Sequence, residues 1–300
     1  MLKSILAAFL VTGVLVCGAA AADFSSGRIT VTVHGHGPDV VLIPGLASSS
    51  AVWDATVKRL EGRYRLHVVQ VAGFAGAASR GNAKGPVLQP AVDAIDAYIK
   101  ANKLRQPSVI GHSFGGLAGL MLAQQHSEDV GRLMVVDSLP FFSVLMGAKD
   151  AAAAAPAAAE MRDNTMAQSQ GDYALTEFQV MPSMVKSRDG CKLATQWAIA
   201  SDKSVVARAM YDDMTTDMRP KLGRIETPVT VLYPWDISMG MPKSASHSAI
   251  SGSKYRTRTF LNSWVENRVE NSVTPVAAEM AARTDCVSAG SRPWIMVKIV

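Results

Sequence analysis

The sequence predicts an α/β fold in which a doubly wound, mostly parallel sheet is covered by helices and interrupted by a helical insertion. Short β-branched runs alternate with segments of helical periodicity between residues 29 and 136, and this is the pattern of strands joined by crossover helices. The alternation stops over residues 139–220, where the sequence favours helices, and it resumes at residue 229. We therefore expect a helical cap at about 139–220.

The composition supports a globular domain and excludes several classes of protein. The 300 residues are 48% hydrophobic and 18% charged, which suffices for one sizeable core and argues against a disordered chain. The formal net charge of +5 is spread out, without a block of Lys and Arg, so we expect no nucleic-acid partner. No spacing of His, Cys and carboxylates indicates a ligand set, so neither a metal nor a cofactor is expected.

The elements follow in order from periodicity and turn residues. Apolar residues alternate with Thr in the first run, which is typical of an edge strand, whereas the second run is wholly apolar, as in a buried strand. The helical segments carry apolar residues three and four apart. Strands are predicted at 29–33, 40–43, 66–71, 108–111, 133–136, 229–233 and 255–261, helices at 51–60, 90–104 and 117–125, and an exposed β-prone tail at 294–300.

The first 22 residues predict a secretory signal peptide. Lys3 precedes an apolar stretch over residues 5–16, and the alanines at 20–22 form an A-x-A cleavage site before Asp23. These are the three parts of such a signal. We therefore expect a periplasmic or secreted domain of residues 23–300.

A lipid anchor on Cys17 is the competing interpretation of this segment, although Val16 stands where a lipobox prefers a small residue. No later segment reaches about 18 uninterrupted apolar residues, so no stable membrane span is expected. Cys191 and Cys286 would remain after cleavage, and they could pair in an oxidising compartment.

Residues 111–115 read Gly-His-Ser-Phe-Gly and fit the pattern G-x-S-x-G. The motif lies between an apolar strand and a helix, at the sharp turn that exposes a serine hydroxyl in nucleophile elbows. A glycine-rich phosphate loop is the alternative, but no lysine follows as it would in a P-loop. We predict that Ser113 is a nucleophile, with oxyanion donors in the amides of Phe114 and of Leu46 in the Pro-Gly-Leu loop at 44–46.

With these motifs the chain resembles the α/β-hydrolase superfamily, in its capped, esterase- or lipase-like branch. The resemblance covers residues 31–261 and includes Trp53 downstream of the 44–46 loop. It implies an eight-stranded sheet, a Ser-Asp-His triad and acyl transfer on ester-like substrates. A serine at the elbow counts against the dehalogenases and epoxide hydrolases of this superfamily, which use Asp there.

The acid of the implied triad is predicted at Asp236, which follows the strand at 229–233 and would orient the histidine. A solvated Asp that caps the next helix is the alternative interpretation. Asp137, at the end of the strand at 133–136, is the second choice for the acid.

The histidine of the implied triad is missing from its expected place, because residues 261–266 read Leu-Asn-Ser-Trp-Val-Glu. His247 is the one histidine after Asp236, and it is the candidate base. His112 is expected to be a packing residue of the elbow. Either the gene is out of frame after about Leu261, or the chain has lost its base.

Two functions follow from these observations. The first is a secreted or periplasmic serine hydrolase that cleaves small or medium apolar esters. The second is a catalytically impaired, hydrolase-like protein that binds a small ligand in the same pocket.

Overall fold

The computed structural model describes residues 24–185, 187–234, 258–259 and 294–299. The strands are Phe24–Ser25 (β1), Ile29–His34 (β2), Asp39–Ile43 (β3), Arg65–Val71 (β4), Ser108–His112 (β5), Arg132–Val136 (β6), Val229–Pro234 (β7), Arg258–Thr259 (β8) and Trp294–Ile299 (β9). The α-helices are Asp54–Leu60 (α1), Leu88–Ala101 (α2), Phe114–Gln125 (α3), Ala151–Ala167 (α4), Gln170–Met184 (α5), Arg188–Ala200 (α6) and Lys203–Thr215 (α7). Short 3₁₀ helices span Ser50–Trp53, Arg80–Ala83, Ser127–Asp129, Phe142–Met146 and Arg219–Arg224.

The strands form one sheet in the order β1-β2-β4-β3-β5-β6-β7-β9-β8. The five central strands, from β4 to β7, are parallel, whereas β1, β2, β8 and β9 pair antiparallel with their neighbours. Parallel neighbours need crossover connections, and helices provide most of them here. The predicted α/β class with a mostly parallel sheet is confirmed. The carboxyl ends of the parallel strands share one edge, where ligands bind in open α/β sheets.

Two apolar clusters cover the two faces of the sheet. Val41 and Ile43 of β3 belong to a cluster that contains residues of α2, α3 and α7. Val40 and Leu42 belong to the second cluster, with Val57 and other residues near α1. Side chains alternate between the faces of a strand, so the wholly apolar sequence of β3 is explained by burial on both sides.

Three sequence-based expectations about the strands differ in detail from the structure. β2 is one strand in from the edge, because β1 pairs with it at two positions. With β1, the described residues form nine strands rather than the eight implied by the resemblance. The β-prone residues near the carboxyl terminus do not form a free tail, because β9 lies between β7 and β8.

Helix α3 begins at Phe114, three residues before the predicted start at 117. Gly115 and Gly116 disfavour a helix by intrinsic propensity. They are nevertheless helical because this turn packs closely on the residues that follow β3 and β6.

The residues between β6 and β7 include four α-helices, α4 to α7, which we call the cap helices (residues 151–215). Each begins after a side chain that accepts a hydrogen bond from a first-turn amide, namely Asp150, Ser169, Ser187 and Asp202. Such caps satisfy amides that have no partner within the helix. Ala154 and Ala158 of the alanine-rich α4 are buried. The division of the chain into a hydrolase domain and a cap stays a prediction.

None of the helices in the described ranges is long and apolar enough to cross a membrane. The predicted signal peptide and Cys286 lie outside those ranges, and Cys191 lies half-buried in α6. Their predicted roles therefore stay predictions.

A buried polar network joins β3, β4 and α2 at the end of the sheet opposite the carboxyl edge. The Nε2 atom of His67 lies 2.9 Å from Oδ1 of Asp39, and its Nδ1 atom lies 2.6 Å from the hydroxyl of Tyr98. Arg65 donates to the same Asp39 oxygen at 2.6 Å. A neutral imidazole fits this network, since Nε2–H donates to the carboxylate and Nδ1 accepts from the tyrosine.

The ionisation of the network agrees with this assignment. Burial lowers the pKa of His67, and the hydrogen bond and charge of Asp39, which act in the opposite sense, do not overcome it. Burial also raises the pKa of Tyr98 to about 12, so its hydroxyl keeps the proton that it donates. For Asp39, burial acts to raise the pKa, but the bonds from Arg65 and His67 outweigh burial and lower it.

We expect the free energy of unfolding contributed by His67 to fall as the pH drops below its ordinary pKa of 6.5. The unfolded chain takes up a proton there and the folded chain does not, so stability is present above that pH and is lost below it. In urea titrations between pH 5 and 8, the stability advantage of the wild type over His67→Gln should shrink towards acid pH, at up to about 1.4 kcal/mol per pH unit.

The comparison of variants is needed because Asp213 changes the stability of the wild type with pH in the opposite direction. Burial raises the pKa of Asp213 to about 7, so its contribution to the free energy of unfolding falls as the pH rises. His36→Gln serves as the control, because His36 is exposed. A difference between the wild type and His67→Gln that stays constant with pH would contradict a neutral buried His67.

Candidate active site

Ser113 lies at the turn between β5 and α3, with a left-handed backbone at φ 52° and ψ −120°. Non-glycine residues in sparsely populated backbone regions cost about 1–3 kcal/mol and persist only where the surroundings enforce them. Here the Ser113 amide donates to the carbonyl of Val136 at 2.9 Å, and the Ser113 carbonyl accepts from the amides of Gly116 and Leu117 at 2.7 and 3.1 Å. The side chain is therefore held at the carboxyl edge of the sheet, at the predicted strand-to-helix turn.

Three glycines allow this turn to pack as closely as it does. A Cβ on Gly111 would lie 2.0 Å from the carbonyl oxygen of Gly115, within the turn itself. A Cβ on Gly115 would lie 2.4 Å from the carbonyl oxygen of Ile43, and one on Gly116 would lie 2.6 Å from the Cβ of Ser138. The first turn of α3 is thus pressed against the ends of β3 and β6, with no room for side chains.

The loop after β3, residues 44–50, lies against the elbow, and we call it the oxyanion loop after the role predicted for Leu46. A Cβ on Gly45 would lie 3.1 Å from Nδ1 of His112 and 3.4 Å from Cβ of Ser113. The amide of Ser48 donates to the carbonyl of Gly45 at 3.3 Å, and Ala47 has a left-handed φ of 54°. The structure therefore brings the loop that contains Leu46 beside Ser113.

Phe114 is the first residue of α3, so its amide has no acceptor within the helix. The amino end of a helix also carries a partial positive charge that favours a negative oxygen. The ring of Phe114 is buried and packs edge-to-face on Phe74, with centroids 5.8 Å apart. This packing fixes the position of the residue whose amide is the second predicted oxyanion donor.

Of the two candidate acids, the structure describes Asp137. It follows β6 directly, is exposed, and has a left-handed φ of 49°. Because His112 and Val136 are paired in neighbouring parallel strands, Asp137 shares the carboxyl edge with Ser113. Asp236 comes two residues after the end of β7 in the sequence and lies outside the described residues.

The five histidines that the structure describes are placed unfavourably for a general base at Ser113. His34 and His36 lie at the end of β2, which pairs with the amino end of β4, and His67 is in the network described above. His126 follows α3, whose 12 residues span about 18 Å from the elbow. His247 lies outside the described residues, so His112 is the one histidine beside Ser113 in the part of the chain that the structure describes.

His112 precedes Ser113 and lies under Gly45. Its Nδ1 atom is buried and has no hydrogen-bond partner among the described residues. Burial lowers the pKa of His112, and the charge of Asp137 opposes this shift. A neutral imidazole that packs beneath the oxyanion loop agrees with the packing role predicted from the sequence.

One group of possible metal ligands occurs within the described ranges, formed by Asp96, His126 and Asp129, whose ligand atoms lie within 4.8 Å of one another. The ammonium of Lys100 already lies 2.8 Å from Asp96 and 3.3 Å from Asp129. The group lies at the opposite end of α3 from Ser113, and its two carboxylates already pair with Lys100, so it takes no part in the candidate active site.

Gln70, which the sequence patterns do not single out, joins the oxyanion loop to the loop after β4. Its carboxamide oxygen accepts from the Ser50 amide at 2.7 Å, and its nitrogen faces carbonyls of both loops. The available signal was a single polar residue within the apolar run at residues 68–72.

A model of the alpha/beta hydrolase family matches residues 40–281. A pimeloyl-[acyl-carrier protein] methyl ester esterase of Nitrosomonas europaea is 36% identical over 117 residues, which cover 38% of this chain and 42% of that protein. An esterase of the same name from Aliivibrio salmonicida is 26% identical over 207 residues, covering 67% and 74%. The chain thus aligns with less than half the length of the first of these relatives.

Solved structures share the fold. A hydrolase from Pseudomonas aeruginosa PA01 has a TM-score of 0.58 and 20% identity, over 68% of this chain and 74% of that one. An esterase from Exiguobacterium antarcticum has a TM-score of 0.57 and 16% identity, over 67% and 75%.

We expect Gly115→Ala to lower the free energy of unfolding by about 1–3 kcal/mol, the usual cost of overpacking. The new methyl group would meet the backbone oxygens of Ile43 and Pro44, which cannot rotate away as a side chain could. Gly62→Ala is the matched control, because no atom lies within 4 Å of its Cβ position, and it should change stability by less than about 0.5 kcal/mol. Equal changes in urea denaturation would show that the contact of α3 with β3 is not tight.

Proposed function

Because this chain belongs to the α/β-hydrolase family, we propose that it is a serine hydrolase that cleaves small or medium apolar esters with Ser113 as the nucleophile. The left-handed backbone of Ser113 between β5 and α3 is the observation that carries this proposal. Backbone strain of this kind clusters at active sites. The esterase relatives support hydrolysis of esters.

In the proposed reaction the Ser113 hydroxyl attacks the ester carbonyl carbon, and its proton passes to a histidine base. The amides of Leu46 and Phe114 donate to the oxygen that becomes negative, and the amino end of α3 adds its dipole. The base then protonates the departing alcohol, which leaves an acyl-enzyme. Water, deprotonated by the same base, attacks the acyl carbon and releases the acid and the free serine.

We assign the base to His247 and the orienting acid to Asp236. The distribution of the other histidines supports the assignment, since His112 is the one described histidine beside Ser113 and its Nδ1 is buried under Gly45. Asp236 follows β7, whose parallel partner β6 ends beside the elbow. Asp137, at the end of β6, is the alternative acid.

The preference for apolar esters rests on the side chains around the elbow. Leu46 of the oxyanion loop and Leu139, three residues after β6, are only partly buried and pack against the apolar core. Both belong to loops that leave the same edge of the sheet as Ser113, and they would supply an apolar wall for an acyl chain.

A fluorophosphonate probe should label the wild-type chain at Ser113, because the probe reports a serine activated by a nearby base. Ser113→Ala should abolish both labelling and hydrolysis of p-nitrophenyl butyrate, with Ser138→Ala as the control for loss of a neighbouring hydroxyl. The modified residue is identified by peptide mass spectrometry. A folded wild-type chain that is neither labelled nor active would contradict the proposal.

The assignment of the base is tested in the same assay. His247→Ala should reduce turnover by about 10²–10⁴-fold, the usual contribution of a general base. A larger loss in His112→Asn than in His247→Ala would transfer the role to His112.

The second candidate is a hydrolase-like protein that binds a small ligand without turnover. It is favoured by the absence of histidine at residues 261–266, where the family resemblance implies the base. In that case the wild type should have little or no turnover, and Val265→His should raise the rate by about 10²-fold or more. Turnover of the wild type that depends on both Ser113 and His247 excludes this candidate.

We also propose that the chain is exported, on the evidence of Lys3, the apolar residues 5–16 and the alanines at 20–22. Expression in a Gram-negative host should give a mature chain that starts at Asp23 in the periplasm or medium, as measured by intact mass. Ala20→Lys together with Ala22→Lys should block this cleavage. A chain of full-length mass in the cytoplasm would contradict export.

A further inference from the structure

The side chain of Gln70, near the carboxyl end of β4, connects two loops of the candidate active site. Its Oε1 atom accepts from the Ser50 amide at 2.7 Å. Its Nε2 atom donates towards the carbonyls of Val71 at 3.1 Å, Phe74 at 3.3 Å and Ser48 at 3.4 Å. The oxyanion loop and the loop after β4, residues 72–79, which we call the β4 loop, thus share one carboxamide.

The chemistry of these contacts requires a neutral amide. One end of the side chain meets an N–H group and must be an oxygen, while the other end meets carbonyl oxygens and must be a nitrogen. A glutamate would keep the acceptor for Ser50, but it would place a negative oxygen against the carbonyls of Ser48, Val71 and Phe74. The site therefore distinguishes Gln from Glu although the two side chains have the same shape.

The β4 loop is itself anchored to the cap helices at the junction of α6 and α7. The Ala75 amide donates to Oγ of Ser201 at 2.7 Å, and the Asp202 amide donates to the carbonyl of Gly73 at 2.8 Å. The Ser79 hydroxyl donates to Oδ2 of Asp202 at 2.5 Å. These bonds hold the β4 loop in place. Because Gln70 also contacts this loop, its hydrogen bonds to Ser50 and Ser48 can restrain the oxyanion loop.

Both connected loops contain a strained alanine. Ala47 has a φ of 54° and Ala75 a φ of 50°, in the left-handed region that favours glycine. The Oγ atom of Ser201 also lies 3.4 Å from the carbonyl of Ala47, as well as accepting from Ala75. Strained residues are retained when neighbouring contacts enforce them, and such strain clusters at functional sites.

We infer that Gln70 is a positioning residue, which holds the oxyanion loop so that the Leu46 amide can donate to the negative oxygen of the transition state. This inference rests on the proposed function, because it takes the Leu46 amide as an oxyanion donor. Gln70 acts through the loop and does not touch the reacting atoms. Phe74, one of its acceptors, also packs on Phe114, so both predicted donors depend on the β4 loop.

The inference is tested by Gln70→Glu, with Gln196→Glu as the matched control on the exposed surface of α6. Gln70→Glu should lower kcat for p-nitrophenyl butyrate by about 10²-fold, as expected for a small misplacement in an active site. KM should change little, because the lost interaction forms in the transition state. Gln196→Glu should leave both constants unchanged.

The pH profile separates a positioning role from general damage. A protonated glutamic acid regains one donor, so the ratio of kcat for Gln70→Glu to kcat for the wild type should rise as the pH falls. A variant that is merely less well folded would show no such recovery. Gln70→Glu with wild-type kcat, or with a loss that does not respond to pH, would overturn the inference.

Hydrogen exchange tests the inference without any need for turnover. In the Ser113→Ala background, Gln70→Glu and Ser201→Ala should both speed amide exchange in peptides covering residues 45–50, whereas Gln196→Glu should not. Unchanged exchange in Gln70→Glu would refute the positioning role even in an active enzyme. Conversely, faster exchange in a chain that lacks Ser113-dependent turnover would retain the positioning role of Gln70 for the loop and reject the proposed function.

Discussion

The close packing of α3 on the end of β3 is the constraint on which the geometry at Ser113 depends. The first turn of the helix approaches the backbone of β3 so closely that a Cβ on Gly115 would meet the Ile43 oxygen at 2.4 Å. This contact fixes where α3 begins, and the chain has to reverse within one residue between His112 and Phe114. Ser113 has a left-handed φ of 52° in that reversal, and the hydrogen bonds of its amide and carbonyl hold it there. The position of the Ser113 side chain at this turn is thus a consequence of helix–sheet packing rather than of the serine itself.

A second set of contacts fixes the loops around this turn. The oxyanion loop and the β4 loop are held by side-chain hydrogen bonds, since each is irregular up to the short 3₁₀ helix that follows β3 or β4. Gln70 satisfies backbone groups of both loops, and Ser201 and Asp202 extend the connection to the cap helices. Because unpaired buried backbone groups are costly, these side chains determine loop geometry more strongly than local propensity does. Hydrogen bonds therefore connect the cap helices to the β4 loop, and Gln70 connects that loop to the oxyanion loop.

The polar network around His67 has a different place in the molecule. It lies at the opposite end of the parallel strands, where Asp39 of β3 is the register partner of Arg65 of β4. Its hydrogen bonds are arranged so that a neutral imidazole is fully satisfied by Asp39 and Tyr98. A buried histidine next to an acid and a hydroxyl resembles a catalytic arrangement in composition. Its burial away from the carboxyl edge makes it a structural feature, which shows that residue types alone do not identify a site.

The sequence by itself determined the α/β class, the five parallel strands and the position of the elbow. These features depend on local signals, namely apolar periodicity and the glycines around Ser113, and such signals act within a few residues. The start of α3 was misplaced by three residues because the helix penalty of Gly115 and Gly116 is local, whereas the packing that overrides it comes from β3 and β6. Only the tertiary structure decided the pairing of β9 with β7 and the bridging role of Gln70. Both depend on contacts between distant residues, 20 apart for Gln70 and Ser50, and such contacts leave no periodic pattern in the sequence.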